Sequence, residues 1–196
     1  MKIIAEKITG INLAHWATEM TMPEGFKASA SLKKIYGFEH SLTRTQEFKI
    51  ELTRVPYFVQ GHLTRHKLGV EFYCRSKRPD RGGEGNDVVT RNTPVDFAMK
   101  INAEALLTMS HRRLCFQASP ETRETMIAIK EAVRLVDPDL AYYMVPFCIY
   151  KGGTCSEPKP CGNYHVVRMQ GEDDEKLLRT PNHKQMQTLW EGNDGR

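Results

Sequence analysis

The densest group of side chains able to hold an anion lies between Arg65 and Arg81, with Lys67, Arg75, Lys77 and Arg78 between them. Arg65, His66 and Lys67 close an apolar run, and a loop rich in arginine and ending in Gly82 and Gly83 follows. Planar guanidinium groups meet phosphate through two parallel hydrogen bonds, and ammonium groups add point charge. The chemistry on offer is therefore anion binding, with a nucleotide as the first choice. The plainer alternative is a solvated basic loop. His62 and His66 flank Arg65; a lone histidine on an apolar face is commonly a core residue, but two with an arginine between them favour a site.

These residues need elements to position them. The spacing of Val55, Phe58, Val59, His62, Leu63 and His66 predicts one helix, capped by Thr53, with Pro56 in its first turn and Gly69 as its stop. Residues Phe48 to Leu52 alternate apolar and charged, which predicts a half-buried strand, with Glu71 to Cys74 as its expected partner. Lys2 to Lys7 reads as a strand and Ile11 to Glu19 as a short helical or irregular piece. A helix over Ser29 to Tyr36 is expected to close at Gly37. Thr93 and Pro94 read as the cap and first residue of a second long helix, with Val95, Ala98, Asn102, Ala105, Leu106 and Met109 on its buried stripe. Asn102 lies in that stripe, where an amide needs partners. Ser119 and Pro120 start a third helix, ended by Asp137 and Pro138. Arg123 lies early in it, where the helix dipole disfavours a cation, so a tertiary partner is expected.

Composition sets bounds. The chain has 196 residues, 40% of them hydrophobic, and a net charge of +4. That suits one domain, and the mild charge suits anionic ligands better than a dedicated DNA binder. No run of about 18 apolar residues exists, and residues Met1 to Lys7 lack signal-peptide features, so a cytoplasmic protein away from membranes is expected. The expected organisation is a domain over 1–145, a Cys-rich segment over 146–170 and a charged tail over 171–196. Three of the five cysteines, Cys148, Cys155 and Cys161, lie close together, with His165 just beyond. They are candidate ligands of a structural zinc, although the tight two-cysteine knuckle usual for zinc is missing; free reduced thiols are the alternative. The stretch from Arg81 to Asp87 is glycine-rich but lacks the ending of a P-loop.

The segment Pro56, Phe58, Val59, Arg65, His66, followed by Ser76 and Arg78, resembles the flavin-dependent thymidylate synthases (ThyX). Members carry Pro-x-Phe-Val-x-x-Gln-x-x-Arg-His-Arg and then a loop closing in Ser-x-Arg. Asn102 and Arg113 resemble that family's later Asn-x-Arg…Leu-Arg helix, and Ala118 to Arg123 resembles its Ala-Gln-x-Glu-Ile-Arg. The likeness covers roughly residues 39 to 136. Four departures stand out: His62 replaces Gln, Val70, Phe72 and Tyr73 replace Ser, Asn and Glu, Glu104 replaces Arg, and the Cys-rich segment has no counterpart.

The resemblance implies an α/β fold with a small antiparallel or mixed sheet and long helices. It implies a homotetramer that binds FAD and dUMP between subunits, and methylates dUMP to dTMP with methylenetetrahydrofolate and NADPH. Carried over by position, Arg113 and Ser76 would be catalytic. His62, Arg65, Ser76, Lys77, Arg78 and Arg113 would hold the substrate, and Arg65, His66, Lys67 and Asn102 the FAD. A related flavoenzyme that modifies a pyrimidine nucleotide differently, for example by hydroxymethylation, stays open. So does a non-catalytic nucleotide or nucleic-acid binder, with nucleic acid the less favoured ligand.

Overall fold

The computed structural model describes residues 1–83, 85, 90–155 and 157–162. Its frame is a four-stranded antiparallel sheet made of β1 (Lys2–Lys7), β2 (Glu47–Pro56), β3 (Val70–Cys74) and β4 (Pro94–Asn102), in the order β1-β2-β4-β3. The helices are α1 (Ile11–Glu19), α2 (Leu32–Phe38), α3 (Tyr57–Leu63), α4 (Ala103–Arg113), α5 (Pro120–Val136), α6 (Pro138–Tyr143) and α7 (Phe147–Tyr150). One face of the sheet is apolar: Phe48, Ile50, Leu52 and Val55 from β2 and Phe97, Met99 and Ile101 from β4 are all buried. Met126, Ile129 and Val133 of α5 share that core with Leu106 and Met109 of α4. The other face carries ion pairs such as Lys49–Glu51 and Lys100–Glu47.

Strand β2 solves a parity problem. Phe48, Ile50 and Leu52 share a face, so Val55 should point away from it. A bulge at Thr53 and Arg54 adds one residue to the register and turns Val55 back into the core. Arg54 takes a positive φ of 58° there, and its N–H donates to Asp96 Oδ1 at 2.8 Å.

Several expectations change. The helix expected from Thr53 is a strand as far as Pro56, and only then a short helix to Leu63. Thr53 caps nothing, and Pro56 is the junction residue. The helix expected from Thr93 is also strand first. Phe97, Met99 and Ile101 alternate with exposed or half-buried neighbours, a period of two that the helical stripe concealed. The partner of β3 is β4, not β2. Helix α2 starts after Ser31, which caps it, and runs through Gly37, ending at Glu39 with φ of 50°. Gly37 serves packing: a Cβ there would meet the Tyr143 hydroxyl at 2.7 Å. The strand Lys2–Lys7, the helix Ile11–Glu19 and the helix start at Pro120 stand as read.

Asp137 ties the N-terminal strand to the helical layer. It is 2% exposed. Its Oδ2 accepts from Lys7 Nζ and from the Tyr36 hydroxyl, each at 2.6 Å, and its Oδ1 caps α6 by accepting from the Leu140 N–H at 3.0 Å. A buried carboxylate is tolerable only with such a full set of partners. The stretch from residue 163 onward, with His165 and the charged tail over 171–196, lies outside the described residues.

Candidate functional site

The end of α3, the end of α4 and the start of α5 meet at one place. Helix α3 begins directly on leaving β2, so its apolar face is already set against the core through Val59 and Leu63. That orientation leaves His62 half-buried and Arg65 exposed. From the far side, Arg113 at the end of α4 reaches across. Its Nε donates to His66 Nε2 at 3.2 Å and its terminal N–H donates to the His62 carbonyl at 2.6 Å. His66 accepts at Nε2, so the neutral ring carries its proton on Nδ1. His62 Nδ1 is bonded to Thr122 Oγ1 at 2.8 Å, and Thr122 to Ser119 Oγ at 2.9 Å. Phe58 packs edge-on against His62, and the Arg91 guanidinium lies 4.1 Å from the centre of the Phe58 ring.

The electrostatics of this cluster are one-sided. Burial, then the charges of Arg113 and Arg112, lower the pKa of His66 to about 4. Burial lowers that of His62 too, with Arg113, Arg65 and Arg91 adding to it and Glu121 opposing. Both imidazoles are therefore neutral at pH 7. Burial, Arg65 and Arg112 also lower the pKa of Arg113. Three other arginines have carboxylates: Arg44 has Glu104, Arg78 has Asp80, Arg134 has Glu131. Among the described residues neither Arg113 nor Arg65 forms an ion pair. A half-buried guanidinium whose acceptors are an imidazole and a carbonyl is short of negative charge. The arrangement suits an anion or a developing oxyanion.

The structure gathers His62, His66 and Arg113 from the expected set, and places Arg65 close enough to help lower the pKa of His62. It does not gather the rest. Ser76 and Arg78 are exposed on the loop after β3; Ser76 Oγ accepts from the Arg78 N–H at 3.3 Å, and Arg78 is engaged twice with Asp80. Lys77 Nζ donates to the Pro94 carbonyl at 3.0 Å. No hydrogen bond or ion pair among the described residues joins this loop to Arg113. Lys67 is exposed. Asn102 is the N-cap of α4, accepting from the Ala105 N–H at 2.9 Å, rather than a member of a helical stripe. It therefore stands at the opposite end of α4 from Arg113, ~16 Å away along the eleven-residue helix. Gly69 fits against it: φ there is +73°, and a Cβ would come within 2.5 Å of the Asn102 side chain. Val70, Phe72 and Tyr73 form strand β3 instead of a polar loop.

Among the described residues, no three His, Cys, Asp or Glu side chains are arranged to hold a metal ion, so Cys148, Cys155 and Cys161 do not form the expected zinc centre as they stand. His165 is beyond those residues. Residues that the sequence did not single out are Arg91, Thr122 and Ser119. Arg91 gave no signal beyond its charge. Ser119 read only as a helix cap, yet it makes no side-chain bond to its helix backbone and bonds the Thr122 side chain instead. Arg123 does find a tertiary partner, the Phe116 ring at 4.3 Å.

This chain has the fold of the flavin-dependent thymidylate synthases. Two solved structures of the Helicobacter pylori ThyX protein, each with FAD and dUMP, are similar to it. One covers 74% of this chain and 100% of its own at a TM-score of 0.60; the other covers 71% and 99% at 0.56. Sequence identity is 15% in both, so the likeness concerns fold. No protein-family model and no curated protein matches the sequence. Among the described residues, no helix is long and apolar enough to cross a membrane.

Proposed function

We propose that this protein is a flavin-dependent enzyme of the thymidylate synthase type, which converts dUMP to dTMP with FAD, methylenetetrahydrofolate and NADPH in the cytoplasm. The observation that carries this reading is Arg113: half-buried, held by two neutral acceptors and without a carboxylate. A nucleotide supplies the missing negative charge, and the similar Helicobacter pylori structures hold both FAD and dUMP.

The donor set fits such ligands. Arg65 and Arg113 are cations without counter-ions among the described residues, which leaves them available to a phosphate. Arg113 would face the pyrimidine and stabilise charge that builds on its carbonyl oxygen, with His62 fixed beside it by Thr122. His66 and Lys67, with Arg65, would hold the FAD at its polar groups. Bound flavin would supply the redox chemistry. Asn102 and the loop carrying Ser76, Lys77 and Arg78 do not meet Arg113 within one chain. They would complete a site on a neighbouring copy, which accords with a homotetramer. The pair Arg78–Asp80 is exposed, so its net worth is small and an arriving phosphate competes for Arg78 without much loss.

A second reading concerns the group transferred. Strand β3 puts Val70, Phe72 and Tyr73 where the resembling family has a polar loop. That change favours a different modification at the same base, such as a hydroxymethyl group. Purified protein with a flavin spectrum and a melting temperature raised by dUMP is the expected result. Product analysis with dUMP, methylenetetrahydrofolate and NADPH then separates dTMP from the hydroxymethyl product. A colourless protein whose melting temperature answers to neither FAD nor dUMP would overturn both readings.

A further inference from the structure

The proposed reaction replaces the hydrogen on carbon 5 of the pyrimidine, and that hydrogen leaves as a proton whether a methyl or a hydroxymethyl group takes its place. Arg113 is no acceptor for it, since a guanidinium keeps its protons. His66 Nε2 already accepts from Arg113 at 3.2 Å. His62 is placed differently. Its Nδ1 is bonded to Thr122 Oγ1 at 2.8 Å, and Thr122 Oγ1 to Ser119 Oγ at 2.9 Å. Among the described residues no hydrogen bond engages its Nε2. Thr122 is fully buried, and its hydroxyl serves this chain instead of the helix backbone. Thr125, three residues on, does the opposite and donates to the Glu121 carbonyl at 2.8 Å. Ser119 makes no cap bond to its helix and is only half-buried, which opens the outer end of the chain to water.

We propose that His62 is the catalytic residue that takes the carbon-5 proton, and that Thr122 and Ser119 are positioning residues that carry a proton away from its other nitrogen. This rests on the thymidylate synthase-type reading. Each hydroxyl can both donate and accept, so the chain has two orientations. In one, Ser119 donates to Thr122, Thr122 donates to Nδ1, and the ring proton sits on Nε2. In the other, Nδ1–H donates to Thr122, Thr122 donates to Ser119, and Nε2 is a free acceptor ready to react. As the C5–H bond breaks, its electron pair stays in the pyrimidine as the 5,6 double bond re-forms, and the proton goes to Nε2. The Nδ1 proton passes to Thr122, the Thr122 proton to Ser119, and the Ser119 proton to water. The imidazole stays neutral throughout. Burial, and then Arg113, Arg65 and Arg91, disfavour an imidazolium here, with Glu121 opposing them only in part. A base that gains no charge is suited to such surroundings. The resembling family has Gln at this position, and an amide cannot take up a proton at one nitrogen while releasing one from another.

The test follows tritium release from dUMP labelled at carbon 5, using the purified full-length protein with methylenetetrahydrofolate and NADPH. Saturating dUMP keeps weaker binding out of the result. His62→Gln should release tritium about a hundredfold or more slowly. His62→Ala should be as slow and should recover with added imidazole, which a merely structural role would not allow. Thr122→Val should slow release by about tenfold or more, while Thr122→Ser should stay within about threefold of the parent. Nitrogen-15 NMR at pH 7 gives a readout independent of turnover. The parent His62 ring should be neutral with its proton shared between both nitrogens, and in Thr122→Val the proton should settle on one. If Thr122→Val does not fold, Ser119→Ala replaces it in both measurements. Release by His62→Gln at the parent's rate overturns the proposal and leaves the thymidylate synthase-type reading standing. A charged His62 ring in the parent overturns it too, and a Thr122→Val protein with parental rate and ring signals removes the relay. A parent that releases no tritium overturns the proposal and the reading together.

Discussion

Replacing Arg113 by Met tests the cluster at its centre. The change removes the charge beside His66 and His62 and keeps most of the side-chain volume. In the parent protein the His66 pKa lies at about 4, against an ordinary 6.5. The unfolded chain then binds more protons than the folded one between those values. The stabilisation is fully present above pH 6.5 and is lost as the pH falls toward 4. At ~1.4 kcal/mol per pKa unit the ceiling is roughly 3.5 kcal/mol. His66 is only half-buried, and solvent screening reduces that to about 1–2 kcal/mol. Burial is the larger cause and Arg113 the second. Arg113→Met should therefore raise the His66 pKa by roughly half to one unit without restoring it fully. The assay is a proton NMR titration of the imidazole signals between about pH 3.5 and 8, assigned with His66→Gln. Calorimetric titration with dUMP runs in parallel, where the variant should bind about ten- to a hundredfold more weakly, as for a lost charge-assisted hydrogen bond. A parent His66 that titrates near its ordinary value refutes the electrostatic account. An unshifted His66 in the variant refutes the part assigned to Arg113. Unchanged dUMP affinity takes Arg113 out of the nucleotide site.

Other expectations can be checked more briefly. Asp137→Asn leaves Lys7 without its buried counter-ion and should cost about 3 kcal/mol in urea denaturation; a loss under about 1 kcal/mol would show that the pair is solvated. Gly69→Ala forces a side chain into a positive φ and against Asn102, and should cost roughly 2–3 kcal/mol through strain and the disturbed cap of α4. Arg44→Ala breaks the exposed pair with Glu104 and should leave the melting temperature unchanged, since such pairs add little. Thr122→Val should loosen His62 and cost about 1 kcal/mol of stability, with a larger effect on dUMP binding than on folding if His62 touches the base.

Much of the site was legible because residue type alone betrayed it. Arg65 and His66 carried their chemistry in the sequence, whereas Arg113 entered only through the family resemblance. Their supports were not legible. Ser119 looks like an ordinary cap and Thr122 like an ordinary first-turn residue, and nothing local says that Thr122 turns to His62. The element boundaries failed for a different reason. In β2–α3 and β4–α4 a strand runs straight into a helix with no turn between them. Val55 and Val95 satisfy a helical spacing by coincidence, while the period of two in Phe97, Met99 and Ile101 was the stronger pattern. The bulge at Thr53 and Arg54 hid the end of β2 further, since it breaks the alternation that marks a strand. The pairing of β3 with β4 depends on long-range register, which no short window contains.

Helix α4 grips the stretch from the end of α3 to the start of β3 at two points, Asn102 against Gly69 at one end and Arg113 on His62 and His66 at the other. The consequence is entropic. A free arginine gives up on the order of 1 kcal/mol of rotamer freedom when a ligand fixes it. Arg113 has surrendered that freedom on folding, to acceptors that carry no charge. An incoming anion thus meets donors already aimed and displaces no rival carboxylate. Its affinity should respond weakly to temperature-driven loosening of side chains and strongly to anything that lets the end of α4 swing.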